Sequence, residues 1–233
     1  MRVLAIIPAR GGSKRLPGKN IKPLHGKPLI QWSIDFAKSI SWFTDIEVST
    51  DSDDIAQCCA DAGQLVTRRR PSDLATDEAS SVDVVLDMLN WKAAQGEEFD
   101  LIALLQPTTP VRCRDHWDEA LSLLQSSEHD AVVGVGPAQS HPHLTFKIGQ
   151  SRQLLPWIET RPSSLRAQDL EPAVVVNGSL YLIRTNALKS EKTFMPHLTS
   201  GVIMNAPVDN LDIDTEFDWL VAEQAIEYFR RKQ

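Results

Sequence analysis

The chain has 233 residues, 42% of them hydrophobic, which is enough to form one large domain with its own core. Its formal net charge of −7 argues against a nucleic-acid partner, because general nucleic-acid-binding proteins are more often basic. The longest apolar runs have the length of strands, so the sequence predicts neither a membrane span nor a membrane partner.

The N-terminal stretch and the cysteines predict a cytoplasmic location. The apolar run Val3–Ile7 is too short to be the core of a signal peptide. Cys58, Cys59 and Cys113 are odd in number and lack the spacing of a metal site. We therefore expect reduced thiols.

Short apolar runs alternate with segments of helical periodicity along the chain. Continuous Val, Ile and Leu runs are typical of strands that are buried on both faces of a largely parallel sheet. The pattern predicts an α/β fold, a three-layer αβα sandwich around a mostly parallel sheet. The predicted strands are Val3–Ile7, Ile46–Ser49, Leu101–Leu105, Ala131–Val135 and Leu180–Ile183. The predicted helices are Leu29–Ile40, Asp53–Ala62, Ser81–Lys92, Asp115–Gln125 and Thr215–Arg231.

The sequence also predicts where one helix begins and which face of the last helix is apolar. Pro28 suits the first position of its helix, where a missing N–H costs nothing. In the last helix a set of apolar residues shares one face, as in an amphipathic helix. That set is Phe217, Leu220, Val221, Ala225 and Tyr228.

Residues 140–172 interrupt this alternation and are rich in Pro, Ser, Gln and Arg. Two strand-like pieces, Thr145–Ile148 and Gln153–Ile158, predict a small β-hairpin that is inserted into a core of residues 1–139 and 173–233. Trp157 lies near the end of the second piece and is a candidate exposed aromatic residue.

The loop after the first strand, IPARGGSKRLPGKN at residues 7–20, has an unusual composition for an acidic protein. In open α/β sheets, ligands bind beyond the carboxyl ends of the strands. Gly11 and Gly12 allow the backbone to approach a ligand, and Arg10, Lys14, Arg15 and Lys19 supply positive charge, which suits a triphosphate. The spacing matches neither a P-loop nor a dinucleotide fingerprint, and a solvated basic turn stays as the alternative.

Asp212 and Asp214 flank Ile213 near the C-terminus. In an extended segment, residues two apart point to the same side, so both carboxylates can face one point while Ile213 faces the core. Two such oxygen ligands suit Mg²⁺ or Mn²⁺ together with phosphate oxygens. The alternative is that Asp214 caps the last helix.

The basic loop is the first of several motifs that resemble the sugar cytidylyltransferases, and most closely the acylneuraminate cytidylyltransferase (CMP-sialic acid synthetase) family. The others occur in the same order as in that family and cover most of the chain outside the insertion. They are Arg70-Pro71 followed by DLATDEASS (Asp73–Ser81), LLQPTTPVR (Leu104–Arg112), Asn177-Gly178 with Tyr181 beyond, and LDIDTEFD (Leu211–Asp218).

The resemblance implies a Rossmann-like nucleotidyltransferase fold and a reaction. The anomeric hydroxyl of a nine-carbon 2-keto acid sugar would attack the α-phosphorus of CTP, releasing pyrophosphate and a CMP-sugar for cell-surface polysaccharide synthesis. It also implies a homodimer that pairs through the insertion. Catalysis of this kind depends on positioning and on neutralising charge.

The resemblance assigns residues to each substrate. Lys19 would meet the charge on the leaving pyrophosphate and, with Arg10 and Asp212, would form the catalytic set. Asp212 and Asp214 would hold the metal. The nucleotide-binding set is Arg10, Ser13, Lys14, Lys19, Asn20, Arg70, Ala79 and Ser81, of which the last three would read the base. The sugar-binding set is Gln106, Arg166, Asn177 and Tyr181.

The sugar-binding motifs depart from the family in ways that bear on the sugar. Ala167 replaces one arginine of a pair, which leaves Arg166, with Arg161 in reserve, to meet the sugar carboxylate. Val174, Val175 and Val176 replace an aromatic-containing stretch and favour a deoxy, diacetamido sugar such as legionaminate or pseudaminate. For Tyr181, a plain core position in its strand is the alternative to sugar contact.

Two other functions remain as alternatives. RLPGK (Arg15–Lys19) is also close to the first motif of the eight-carbon keto-deoxy-octulosonate enzymes. A non-catalytic nucleotide sensor on the same scaffold is the second, although Lys19 together with both aspartates argues against it.

Overall fold

The computed structural model describes residues 1–160, 162, 164 and 166–231. A six-stranded sheet forms its centre, and two small two-stranded sheets flank it. The strands are β1 (Val3–Pro8), β2 (Pro23–Leu24), β3 (Lys27–Pro28), β4 (Asp45–Ser49), β5 (Leu101–Leu104), β6 (Ala131–Pro137), β7 (Phe146–Ile148), β8 (Leu154–Pro156), β9 (Val174–Arg184) and β10 (Thr199–Ile203).

The strand order in the central sheet is β10-β6-β9-β5-β1-β4. β1 runs parallel to both of its neighbours, with Ile6 in register with Glu47 and Leu104. β9 runs antiparallel to β5 and to β6, and β10 runs parallel to β6. The sheet is therefore mostly parallel, and β1, β4, β5 and β6 end at one edge, where the loops of the site lie.

Helices cover both faces of this sheet, which confirms the predicted three-layer sandwich. β1 shows why: Val3, Ala5 and Ile7 belong to one core cluster and Leu4 and Ile6 to another. The first cluster also contains residues of α1, α2 and α4, and the second contains residues of α3 and α5. The helices are α1 (Leu29–Ser39), α2 (Asp53–Asp61), α3 (Ser81–Ala93), α4 (Arg114–Ser126), α5 (Thr185–Glu191) and α6 (Glu216–Arg230).

A third cluster joins α6 to the basic loop and to the segment between the two aspartates. Its members are Leu16, Leu24, Leu29, Ile213, Trp219, Ala222 and Ile226. The predicted apolar face of the last helix is therefore the wrong one. Phe217 is 71% exposed, and Leu220, Val221 and Tyr228 are also exposed. Helix α6 carries apolar residues on two faces, and the loop packs against the face that contains Trp219.

The structure differs from the sequence-based elements at several boundaries. Pro28 is the N-cap residue of α1 with ψ 139°, not its first helical residue. Helix α5 and strand β10 were not predicted, because α5 has only seven residues and β10 contains Gly201. Strand β9 is much longer than the predicted Leu180–Ile183 and includes Gly178 at φ 78°.

A β-hairpin lies between β6 and β9, within the predicted insertion, whose bounds at residues 140–172 stay a prediction. The hairpin pairs β7 with β8, with Phe146 opposite Pro156 and Ile148 opposite Leu154. A backbone hydrogen bond from Ala138 to Ala173 closes its base at 2.9 Å. Trp157 is 58% exposed, as expected. The role of the hairpin as a dimer contact stays a prediction.

The cysteines are free thiols, and Cys59 is buried. Burial is the main cause that raises the pKa of Cys59 to about 12, so this thiol stays protonated and unreactive at neutral pH. Within the described ranges, no helix has both the length and the apolar character that crossing a membrane requires.

Replacing Gly136 tests the close packing of β6 against the loop that precedes α6. A Cβ at Gly136 would lie 1.9 Å from Asn210 Oδ1, which is far inside contact distance. We expect Gly136→Ala to lower the free energy of unfolding by about 1–3 kcal/mol, the usual cost of overpacking. Denaturant unfolding measures this, with Gly12→Ala as the control, because a Cβ there meets nothing within 4 Å. Equal stability of both variants would contradict the packing.

Candidate functional site

A polar cavity of about 660 Å³ lies beyond the carboxyl ends of β1, β4 and β5. It brings together the whole predicted nucleotide-binding set and both predicted metal ligands. The side chains come from loops that are far apart in the chain. Its lining includes Arg10, Ser13, Lys14, Arg15, Lys19, Asn20, Arg70, Thr76, Asp77, Ala79, Ser81, Gln106, Thr108, Asp212 and Asp214.

The basic loop is fixed by hydrogen bonds to its own backbone and to the end of β4. The Gly11 N–H donates to Asp51 Oδ1 at 2.9 Å, and the Asn20 amide donates to the carbonyl of Arg10 at 3.0 Å. A Cβ at Gly11 would lie 2.9 Å from the Cβ of Ser52, so a larger residue would push the loop away. The loop therefore has a defined conformation that specific contacts hold, which argues against the alternative of a solvated basic turn.

Arg10 and Lys14 both contact Asp77, which the sequence analysis did not single out. Arg10 donates to the Thr76 carbonyl at 2.8 Å and forms an ion pair with Asp77 Oδ1 at 2.7 Å. Lys14 pairs with the second oxygen of Asp77. Hydrogen bonds from Lys14 and then Arg10 hold the pKa of Asp77 below its usual range. An incoming anion would compete with this carboxylate for the two cations.

Lys19 and Arg15 contact the other side of the cavity. Lys19 is buried, and its Nζ donates to Asp214 Oδ1 and to the carbonyl of Ile213, each at 2.9 Å. Arg15 Nη2 donates to Asp214 Oδ2 at 2.8 Å. The basic loop is therefore joined directly to the carboxylate pair.

Asp212 and Asp214 both line the cavity while Ile213 is fully buried, as the alternation predicted. Asp212 accepts a hydrogen bond from Thr108, and its pKa is raised, first by its partial withdrawal from water and then by the charge of Asp214. Two carboxylates that repel each other across one cavity are a donor set that fits a divalent cation.

Asp214 is not the N-cap of the last helix, contrary to the alternative prediction. The cap is Thr215, whose hydroxyl accepts from the Asp218 N–H at 3.2 Å, while the Asp218 carboxylate accepts from the Thr215 N–H at 2.7 Å. This capping box leaves the Asp214 side chain free to face the cavity.

Arg70 lines the same cavity, together with Ala79 and Ser81. Its guanidinium is buried and donates to the hydroxyl and the carbonyl of Ser49 at 3.0 and 2.6 Å. Burial lowers the pKa of Arg70 to about 10, so the group stays charged at neutral pH. The role of these residues in reading a base stays a prediction.

A second cavity of about 760 Å³ adjoins the first. Gln106 and Asp212 line both cavities, so the two meet at these side chains. The second cavity has an apolar wall that comes from the hairpin insertion and from β9. That wall includes Trp157, Ile158, Val174, Val175 and Val176.

Asn177 and Tyr181 line the second cavity together with Gln106, and their role in sugar binding stays a prediction. The Asn177 amide is held by Asn210 at 3.1 Å and by the hydroxyl of Ser179 at 2.9 Å. Tyr181 is half-buried with its ring 5.6 Å from that of Phe194, and burial raises the pKa of its hydroxyl. Its side chain thus has both a core contact and a cavity position.

Arg166 is not brought to either cavity with the other predicted sugar ligands. Its side chain is exposed, and its backbone N–H donates to Ser164 Oγ at 3.2 Å. Arg161, the predicted reserve, lies outside the described residues. Among the described residues that line the second cavity, none is a lysine or an arginine.

The first cavity has the position and the charge that a nucleoside polyphosphate requires, which places the protein among the α/β nucleotide-binding proteins. Residues 4–141 match the family described as cytidylyltransferase. The chain is 36% identical to a CMP-N,N'-diacetyllegionaminic acid synthase of Legionella pneumophila, over 97% of each protein. The chain therefore belongs to the cytidylyltransferase family, as the motifs predicted.

Other comparisons agree with this membership. An N-acylneuraminate cytidylyltransferase of Streptococcus agalactiae is 35% identical over 94% of this chain, which spans about half (52%) of that protein. The structure of a CMP:2-keto-3-deoxy-manno-octonic acid synthetase complexed with CTP superimposes with TM-score 0.71 at 18% identity, covering 98% of this chain and 100% of the other. A 4-diphosphocytidyl-2C-methyl-D-erythritol synthase of Anaerococcus prevotii gives TM-score 0.63 at 11% identity, covering 97% and 96%. These two structures confirm the fold.

The pairing of Asp77 with Arg10 and Lys14 predicts that this carboxylate weakens anion binding. We expect Asp77→Asn to bind inorganic triphosphate about threefold more tightly, since only exposed ion pairs are lost. Isothermal titration at low and high salt measures the change, which should shrink as salt screens the charges. Asp73→Asn is the control, because it removes the same charge from an exposed residue outside the cavity. Weaker binding by Asp77→Asn would show that Asp77 assists the ligand.

Proposed function

We propose that the protein transfers CMP from CTP to the anomeric hydroxyl of a nine-carbon 2-keto acid sugar of the acylneuraminate, legionaminate or pseudaminate type. The observation that carries the proposal is the meeting of two unlike cavities at Gln106 and Asp212. One is polar and rich in cations, and the other has an apolar wall. A transferase that joins a nucleotide to a sugar needs such adjoining sites.

The first cavity supports CTP as the nucleotide. Arg10, Lys14, Arg15 and Lys19 supply cations along the path that a triphosphate would take from the basic loop. Arg70 and Ala79 line the same cavity, where a guanidinium donor and a backbone acceptor could bind the edge of a cytosine. The relative from Legionella pneumophila and the structure complexed with CTP are named for cytidine nucleotides, which agrees with this assignment.

The second cavity supports a sugar with apolar substituents. Trp157 and Val174–Val176 offer apolar surface that suits the methyl groups of acetamido and deoxy positions. The similarity to the Legionella pneumophila protein, whose name specifies a diacetylated legionaminic acid, favours such a sugar over an eight-carbon one. Gln106, Asn177 and Tyr181 supply the polar contacts that would orient it.

In the proposed reaction, the anomeric hydroxyl oxygen forms a bond to the α-phosphorus and gives up its proton to water, and the bond from that phosphorus to the pyrophosphate oxygen breaks. Lys19 is held by Asp214 beside the basic loop, where its charge can stabilise the leaving pyrophosphate. Asp212 borders both cavities, so its carboxylate lies where the hydroxyl would meet the nucleotide. The described chain thus holds both substrates and neutralises the departing charge.

We also propose that Asp212 and Asp214 hold Mg²⁺ or Mn²⁺, because they face one cavity and repel each other. A divalent ion bound there would neutralise phosphate charge. We place the protein in the cytoplasm, the location that its reduced thiols predict.

A pyrophosphate-release assay tests the function. Wild-type protein with CTP and Mg²⁺ is given N-acetylneuraminate, diacetyllegionaminate, pseudaminate or keto-deoxy-octulosonate. We expect release with a nine-carbon sugar, and most with a diacetamido sugar. Release with the eight-carbon sugar alone would favour the octulosonate enzyme. If CTP binds but no sugar gives release, the protein is a nucleotide sensor.

The carboxylate pair makes a prediction that concerns the metal. We expect Asp212→Asn to keep the fold but to lower kcat by about 10²-fold, the scale of lost electrostatic stabilisation. Water-proton relaxation with Mn²⁺ and CTP should show weaker metal binding by the same variant, and Asp73→Asn should match wild type in both measurements. Near wild-type kcat across a Mg²⁺ titration would exclude the metal assignment.

The hairpin insertion makes a prediction that concerns the oligomer. Ile148 is 77% exposed and Leu154 is 61% exposed, and an isolated hairpin of this size gains stability from a partner. We propose a homodimer through residues 140–172, so sedimentation velocity at micromolar concentration should show a dimer. Ile148→Asp should shift it toward monomer, while Leu65→Asp, at a site 71% exposed and outside the insertion, should not. A monomeric wild type would contradict the proposal.

A further inference from the structure

Arg112 is the last residue of the motif Leu104–Arg112, and the proposed reaction gives it no part. Its guanidinium is part-buried and donates hydrogen bonds in several directions. Nη2 donates to the carbonyl of Gln106 at 2.6 Å and to Thr109 Oγ1 at 3.0 Å. Nε donates to the carbonyl of Ser179 at 3.2 Å, and Nη1 donates to Ser33 Oγ at 3.0 Å.

All of these partners are neutral oxygens. Burial lowers the pKa of Arg112 to about 9, which is still above neutral pH, so the group keeps its charge. Holding a cation away from water without a carboxylate is costly, and packing could be achieved with an apolar side chain of similar size. What the guanidinium adds is a rigid fork that serves several acceptors at once.

Three of these four acceptors, all except Ser33 Oγ, lie on two turns that belong to different cavities. The first is the turn at Gln106–Thr109, closed by a hydrogen bond from the Thr109 N–H to the Gln106 carbonyl at 3.2 Å. This turn carries Gln106 into both cavities. It also fixes the aspartate segment, because the Thr108 carbonyl accepts from the Ile213 N–H at 2.9 Å.

The second is an Asx turn inside β9 at Asn177–Ser179, on the side of the second cavity, where the Ser179 N–H donates to Asn177 Oδ1 at 3.1 Å. Thr109 Oγ1 lies 3.0 Å from the carbonyl oxygen of Gln106 and 3.3 Å from that of Gly178, and its one proton can be donated to either of them, so this side chain lies between the two turns. A Cβ at Gly178 would lie 3.2 Å from Gln106 Oε1, which shows how closely the turns approach. Arg112 binds both turns from behind, through Gln106 and Ser179.

We propose that Arg112 is a positioning residue that holds these two turns together, so that the nucleotide and the sugar meet at the correct distance beside Gln106 and Asp212. The proposal rests on the proposed function. Arg112 itself lines neither cavity in the described part of the chain, so it acts through the turns. A lysine would keep the charge but could not reach Gln106, Thr109 and Ser179 together in the same geometry.

The test compares Arg112→Lys with wild type in the pyrophosphate-release assay. We expect the sugar KM to rise at least tenfold and kcat to fall about tenfold, because misplacing reacting groups by a small distance is costly. The dissociation constant for CTP, measured by titration without sugar, should stay within about twofold. Thr109→Val, which removes the hydroxyl between the two turns, should give a smaller change in the same direction.

Ser33→Ala is the matched control, since it removes the one Arg112 partner that lies on α1 and outside both turns. Its sugar KM and kcat should equal those of wild type. A lower melting temperature for Arg112→Lys with unchanged kinetics would overturn the proposal and leave a purely stabilising residue. Equal losses for sugar and CTP would overturn it as well.

Hydrogen exchange separates this proposal from the proposed function. In Arg112→Lys, exchange should accelerate in peptides that cover residues 106–109 and 177–179, and elsewhere it should match wild type. Unchanged exchange in both turns would overturn the positioning role. An inactive wild type would remove the proposed function, whereas the exchange measurement would still decide whether Arg112 couples the turns.

Discussion

One buried contact holds the site together. Lys19 Nζ donates to Asp214 Oδ1 and to the Ile213 carbonyl, which lie 195 and 194 positions further along the chain. A buried ammonium needs a counter-charge and acceptors, and this pair of partners supplies both. The contact fixes the basic loop against the carboxylate pair, and the apolar cluster of Leu16, Ile213 and Trp219 packs beneath it. The charged side chains of Lys19 and Asp214 are therefore held in fixed positions beside the first cavity.

The basic loop would repel itself if its cations stood alone. Asp77 and Asp214 divide these cations between them, Asp77 with Arg10 and Lys14, and Asp214 with Lys19 and Arg15. The second cavity is different, because its wall of valines and Trp157 offers little charge. The first cavity therefore suits an anion and the second suits a less polar group. Gln106 and Asp212 line both cavities.

The sequence predicted most of the residues that line the first cavity, but it did not predict how α6 packs or where Arg166 lies. The nucleotide-binding set and both aspartates line one cavity. The position of the basic loop was predictable because it directly follows β1, a strand that its apolar run reveals. The face of helix α6 was wrong, since Trp219, Ala222 and Ile226 are spaced as helically as the exposed residues, and periodicity alone does not choose between two apolar faces. A motif predicted that Arg166 binds the sugar carboxylate, but in the structure its side chain is exposed and lines neither cavity.

By itself, the sequence determined the alternating α/β architecture, the inserted hairpin and the chemical character of the loops, because these follow from local patterns of apolar, glycine and charged residues. Only the tertiary structure decided which charges meet. Asp77 faces Arg10 across 67 positions of the chain, and Arg112 reaches Ser179 across 67 positions as well. Such partners are set by how strands and turns pack in space. A one-dimensional pattern states which groups need a partner but does not say which partner each of them finds.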